Sequence, residues 1–243
     1  MDDKSGPLLE TVTALANTEL ANELLSQKSS FESGGKRIGV VVFKPKSAGK
    51  LPAIVVLHGA RGVDATNAYV RELAQAVAAN GYATFLIEYF DRTGTVYADE
   101  PTMRANGNKW LAALNDGVSF ISKLPDIDAN RIGIFGYSLG GYLAVAQSSR
   151  DPRIKAVVEL AGGIQPELAR TVTRLPPTLI IHGKEDGRVP FSRATELEAL
   201  ARRVHAHVET EFFPSERHIL SPVAALRAIA RALQFFRVHL AKA

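Results

Sequence analysis

The chain has no cysteine, so disulfide frameworks, thiolate zinc centres, iron–sulfur clusters and cysteine nucleophiles are all excluded at once. Charge of one sign is also scarce: 29 Lys and Arg against 25 Asp and Glu leave +4, scattered without a run of like charges, so no nucleic acid partner is expected. No stretch approaches the ~18 apolar residues of a membrane span. The start, MDDKSGPLLE, is acidic where a secretory leader is basic, so we expect a cytoplasmic protein with no membrane partner. Disorder is excluded as well, because 46% of the 243 residues are hydrophobic and 22% charged, the proportions of an ordinary globular chain. A length of 243 residues suits one domain, which buries about three quarters of its unfolded surface.

Residues 7 to 27 place Leu8, Leu9, Val12, Leu15, Leu20, Leu24 and Leu25 at spacings of three and four, which predicts an amphipathic helix. Residues 1–30 are therefore read as a helical extension, with 31–243 as the single α/β domain. The extension is a possible interface for a homodimer, the alternative being a monomer. After it, the turn Ser33-Gly34-Gly35 joins a short extended run to a strand over Ile38 to Phe43, an antiparallel hairpin.

From Leu51 the pattern changes to unbroken apolar runs at 53–57, 83–90, 131–137, 155–161, 177–183 and 207–213. Helical periodicity fills 67–80, 106–123, 139–149, 192–204 and 222–240. Strand and helix alternating in this way predict a mostly parallel, doubly wound sheet of about eight strands with helices on both faces. Ligands then bind at the carboxyl ends of the strands. Small cap elements are expected at 91–108 and 162–176.

The run RIGIF leads into Gly136-Tyr137-Ser138-Leu139-Gly140-Gly141 and at once into helix-like YLAVAQSS. A G-x-S-x-G string alone is weak, since a chain this long shows one by chance on the order of once in ten at ordinary glycine frequencies. Here it sits between a strand and a helix, where the turn strains its central residue and small neighbours let strand and helix approach. Ser138 is thus the candidate nucleophile, at a helix N-terminus that favours developing negative charge.

A serine hydroxyl needs a base, and the base an orienting carboxylate. In the α/β hydrolases these follow the nucleophile in the order Asp or Glu, then His. Asp186, in the turn after TLIIHG, and His218, in the loop after the last strand, meet that order. Glu159 and Glu185 are rivals for the acid. His58, His182, His205 and His207 fit the order less well, and His58 and His182 read better as buried histidines bonded to local backbone. The spacing of His205 and His207 hints at a metal, but no acidic cluster accompanies it, so no metal is expected. Two N–H donors for an oxyanion are sought next to the nucleophile, at Leu139, and in the glycine-rich loop His58-Gly59-Ala60-Arg61-Gly62, at Ala60 or, one step on, Arg61. The strand-end loops nominate Tyr89, Phe90, Arg92, Trp110, Ile164 and Val189 for the substrate pocket, with Arg61, Arg92 and Arg188 as ligands for a substrate carboxylate.

The stretches PAIVVLHGARG, RIGIFGYSLGGYLA, TLIIHGKEDGRVP and FFPSERH, spread over roughly residues 38 to 240, resemble the α/β-hydrolase superfamily and more closely the dienelactone hydrolase family. The resemblance implies the α/β-hydrolase fold and hydrolysis of a small-molecule ester or lactone without cofactor or metal. The enzymes that give the family its name carry a cysteine nucleophile and a glutamate in the oxyanion loop; here those places read Ser138 and His58-Gly59-Ala60, which favours a general carboxylesterase. Two other readings share the motif: a peptidase of prolyl-oligopeptidase type, which would bring a large N-terminal domain, and a silent binding protein, which usually lacks a triad member.

Overall fold

The computed structural model describes residues 24–47, 49–63 and 68–242. Two antiparallel strands come first, β1 (Leu24–Ser33) and β2 (Lys36–Pro45), in register from Ser33↔Lys36 to Leu24↔Pro45. The two-residue turn between them puts Gly34 at φ 49° and Gly35 at φ 72°. Positive φ at both turn positions matches the right-handed twist of the hairpin, and glycine adopts it without a Cβ clash. The expected N-terminal helix is corrected at its end, since residues 24–27 belong to β1, where they pair along β2. The rest of that helix lies outside the described residues.

β2 pairs antiparallel with β4 (Ala83–Ile87), and all further pairings are parallel. With β3 (Leu51–Leu57), β5 (Ile127–Tyr137), β6 (Ile154–Leu160), β7 (Thr178–Gly183) and β8 (Val208–Phe213) they make one eight-stranded sheet in the order β1-β2-β4-β3-β5-β6-β7-β8. The central strands are apolar throughout because both faces are covered. On β3, Ala53, Val55 and Leu57 enter one core while Ile54 and Val56 enter the other. Helices α1 (Ala68–Ala78) and α6 (Pro222–His239) cover the second core; α2 (Glu100–Ile121), α3 (Leu139–Arg150) and α5 (Ser192–Arg203) cover the first. No helix of the described residues is long and apolar enough to cross a membrane.

The stretches 91–108 and 162–176, read as small caps, hold the following elements. Tyr89–Arg92 form a 3₁₀ turn, and α2 begins at Glu100, well before the expected 106. Asp99 caps it by accepting the Thr102 N–H at 2.9 Å, and Pro101 sits in its first turn, where the missing donor costs nothing. Gly107, a poor helix former, breaks the sequence pattern there without breaking the helix. In 162–176 the regular structure is one short helix, α4 (Pro166–Ala169).

Trp110 on α2 is fully buried, its ring 4.8 Å from Phe90 and 5.8 Å from Tyr89, with Nε1 donating to Thr93 Oγ1 at 2.8 Å. This cluster joins α2 to the loop after β4. Trp110→Ala should lower the unfolding free energy by about 3–5 kcal/mol, the usual cost of emptying a buried aromatic site. Urea unfolding followed by far-UV circular dichroism checks this; a loss under about 1 kcal/mol would show that the cluster is not a packing unit.

Candidate active site

Ser138 stands between β5 and α3 with φ 56° and ψ −119°, a conformation that side chains rarely adopt. Its N–H donates to Leu160 O at 2.8 Å, and its carbonyl accepts the N–H groups of Gly141 at 2.8 Å and Tyr142 at 3.2 Å. The glycines around it are required by close approach. A Cβ on Gly140 would lie 2.5 Å from the carbonyl oxygens of Leu57 and His58, and one on Gly136 would run into the Gly140 carbonyl. The first turn of α3 therefore rests on the carboxyl end of β3, with Ser138 raised above the sheet edge.

Behind β7 and β8, two loops are tied together by backbone bonds. Lys184 N–H donates to Phe213 O at 2.9 Å and Glu185 N–H to Glu216 O at 3.0 Å. Gly183 lies against the Glu216 carbonyl, where a Cβ has no room. Glu216 in turn accepts the Ser221 N–H at 2.7 Å, which sets the loop before α6. These ties bring His218 to Asp186. His218 Nδ1 lies 2.8 Å from Asp186 Oδ2, and Nε2 lies 3.0 Å from Ser138 Oγ. In that network Nδ1–H donates to the carboxylate and the serine hydroxyl donates to Nε2, the tautomer the bonding partners require. The other oxygen of Asp186 accepts the N–H groups of Arg188 at 2.8 Å and Val189 at 2.9 Å, so a fully buried carboxylate is satisfied at both ends. Tyr137 adds a hydroxyl that donates to His218 O at 3.3 Å.

The rivals fall elsewhere. Glu185 is exposed and engaged through its backbone. His182 is buried, its Nε2–H donating to Val189 O at 3.0 Å and lying 3.4 Å from Asp186 Oδ2, so it braces the acid's turn. Burial lowers its pKa and keeps it neutral. His58 stacks on Tyr89 at 4.0 Å and donates from Nδ1 to Gly59 O at 2.8 Å; burial pushes its pKa down to about 4. Both are the backbone-bonded histidines expected from sequence.

The loop that follows β3 lies beside Ser138: a Cβ on Gly59 would be 3.4 Å from Ser138 Cβ. It is closed by Gly62 N–H to Gly59 O at 3.2 Å and held by Ala98 N–H to Ala60 O at 2.9 Å. Leu139, as the first residue of α3, has an N–H that no carbonyl of the helix can accept.

The pocket expected from sequence is corrected. Tyr89 and Trp110 have no exposed surface, and Phe90 and Ile164 almost none, because the segment after β4 turns its rings inward against α2. Arg92 lays its guanidinium over the hairpin turn at Gly34. Val189 is half-buried and serves Asp186 and His182 through its backbone. Arg61 and Arg188 are exposed. Val96, Tyr97 and Ile219 are 79%, 63% and 66% exposed, and sequence reading passed over Val96 and Ile219. Val96 and Tyr97 are on the loop tied to Ala60 and Ile219 adjoins His218, so an apolar rim borders the site.

Glu159, on β6, turns away from the histidine. Its Oε1 accepts the Gly162 N–H, its stem faces Gly141, and Oε2 has no hydrogen-bond partner among the described residues. Burial raises its pKa from 4.5 to about 8, with the Asp186 charge adding to the rise. The folded state then keeps a proton that the unfolded chain has released, so stability falls by up to about 1.4 kcal/mol per pH unit between these two values. Glu159→Gln should flatten the decline, leaving the variant more stable than wild type at alkaline pH and without that advantage below the unfolded pKa. Urea midpoints across this range check it; parallel pH profiles for the two proteins would refute it.

Comparison with known proteins agrees with the fold. A candidate carboxymethylenebutenolidase of Synechocystis is 21% identical over 225 residues, covering 81% of this chain and 90% of that one. The dienelactone hydrolase-like promiscuous phosphotriesterase P91 from metagenomic libraries superposes with a TM-score of 0.80 at 17% identity, covering 89% of this chain and 99% of that one. The acylaminoacyl peptidase of Pyrococcus horikoshii superposes at 0.74 and 20% identity, covering 90% of this chain but 42% of the peptidase. These structures share the α/β-hydrolase fold with the sheet described above. Residues 38–239 match the dienelactone hydrolase family, and the chain belongs to that family.

Proposed function

We propose that the protein is a serine carboxylesterase that cleaves ester bonds, and by the same chemistry lactones or thioesters, through an acyl-enzyme on Ser138. The observation that carries this reading is the unbroken line of hydrogen bonds from Asp186 through His218 to a serine held at positive φ. Membership of the dienelactone hydrolase family and likeness to the Synechocystis carboxymethylenebutenolidase candidate support the ester or lactone bond class.

His218 Nε2 takes the hydroxyl proton as Ser138 Oγ attacks the carbonyl carbon, while Asp186 holds the imidazole and balances its charge. The oxyanion is received by the N–H groups of Leu139 and Ala60, one donor of this kind being worth about 3–4 kcal/mol. Collapse expels the alcohol, which leaves with the proton from His218. Water, deprotonated by His218, then attacks the acyl carbon and releases the acid and the free serine. The Val96, Tyr97 and Ile219 rim favours apolar acyl or alcohol groups, because it offers area to bury.

Short p-nitrophenyl esters should be hydrolysed by the wild type and labelling by a fluorophosphonate should map to Ser138. Ser138→Ala and Asp186→Asn should each lose about 10⁴-fold or more in kcat with the fold intact by circular dichroism. Undiminished turnover by Ser138→Ala would refute the mechanism. Faster cleavage of aminoacyl-naphthylamides than of esters by the wild type would point to the peptidase reading instead.

A further inference from the structure

At the end of the sheet remote from Ser138, three side chains far apart in sequence converge. His207 precedes β8, Glu209 is the second residue of that strand, and His239 is the last residue of α6. One ligand atom from each lies within 4.8 Å of the other two. His207 Nε2 is 2.8 Å from Glu209 Oε1, and His239 Nε2 is 3.6 Å from the same oxygen. His239 Nε2 is shut off from water and short of a hydrogen bond, and its ring is set by Phe235 at 4.4 Å. We propose that His207, Glu209 and His239 form a binding site for a divalent transition-metal ion, with zinc as the best fit, that joins the end of α6 to the start of β8.

The donor set is two imidazole nitrogens and one carboxylate oxygen, the combination that zinc takes with a fourth position left for water. Zinc bonds of 2.0–2.1 Å in a tetrahedron separate the ligand atoms by about 3.3 Å. The two contacts to Glu209, at 2.8 and 3.6 Å, bracket that value, and the two imidazoles, whose ligand atoms lie within 4.8 Å of each other, must draw together as the ion binds. The second oxygen of Glu209 is held by Arg231, which leaves Oε1 turned to the histidines. Arg231 also lies 3.8 Å from Glu211, which Arg227 pairs at 2.7 Å. Two carboxylates and two guanidiniums therefore balance before any ion arrives. Binding must come from the imidazoles, which selects zinc, nickel or copper over calcium or magnesium. The ion stands at the amino-terminal end of β8, whereas His218 follows its carboxyl end, so its role is structural rather than catalytic.

The test uses the full chain without a histidine tag, stripped with a chelator and titrated with zinc chloride by calorimetry, with melting temperature read in parallel. One ion per chain with a Kd of about 10 μM or tighter is expected, along with a rise of several degrees in melting temperature. His207→Ala and His239→Ala should each weaken binding at least tenfold. His205→Ala, at an exposed neighbouring position, and Ser138→Ala should bind as wild type does. Circular dichroism confirms that each variant is folded, and His207 is exposed enough for its replacement to spare the core. Absence of one-to-one binding, or a smaller loss in either histidine variant, overturns the proposal.

Discussion

The first turn of α3 lies on the carbonyl ends of β3 with no side chain between them, and the arrangement of the rest of the site depends on that contact. It exists because positions 136 and 140 lack a Cβ; any larger residue at Gly140 would meet the Leu57 and His58 carbonyls. The same approach forces Ser138 into positive φ, lifts its hydroxyl above the sheet, and brings the loop at Gly59 within van der Waals reach of it. Strain at one residue is offset by the backbone bonds that its own N–H and carbonyl make to Leu160, Gly141 and Tyr142.

Around this point the protein separates charge from burial with care. Asp186 is buried with both oxygens hydrogen-bonded, by two backbone N–H groups and by His218. His58, His182 and Glu159 are also buried, each with one polar atom left without a hydrogen bond, and desolvation favours their neutral forms. One buried charge among neutral neighbours is what a histidine needs if the positive charge it gains in catalysis is to be stabilised by a fixed partner.

Much of this was legible in the residues. The glycine pair at 34–35 and the apolar runs marked hairpin and strands closely. The order of Ser138, Asp186 and His218 along the chain named the three groups that the fold brings within hydrogen-bond distance. The aromatics after β4 were misplaced for a physical reason: following a strand end is a property of sequence, but whether Tyr89, Phe90 and Trp110 face solvent or core depends on α2 lying against them. Likewise α2 began early because the Asp99 cap and Pro101 outweigh the poor helix propensity at Gly107.

By itself the sequence determined the alternation of β and α, the turn that carries Ser138, and the exclusion of thiol chemistry in a chain without cysteine. These are local matters, settled by periodicity, by glycine's freedom and by residue type. Only the tertiary structure decided that Asp186 and not Glu159 meets His218, that the aromatics face inward, and that Glu209 and His239 join His207. Each of those outcomes turns on which segments pack side by side, and side chains tens of residues apart acquire neighbours only once the sheet and its helices have closed around two cores.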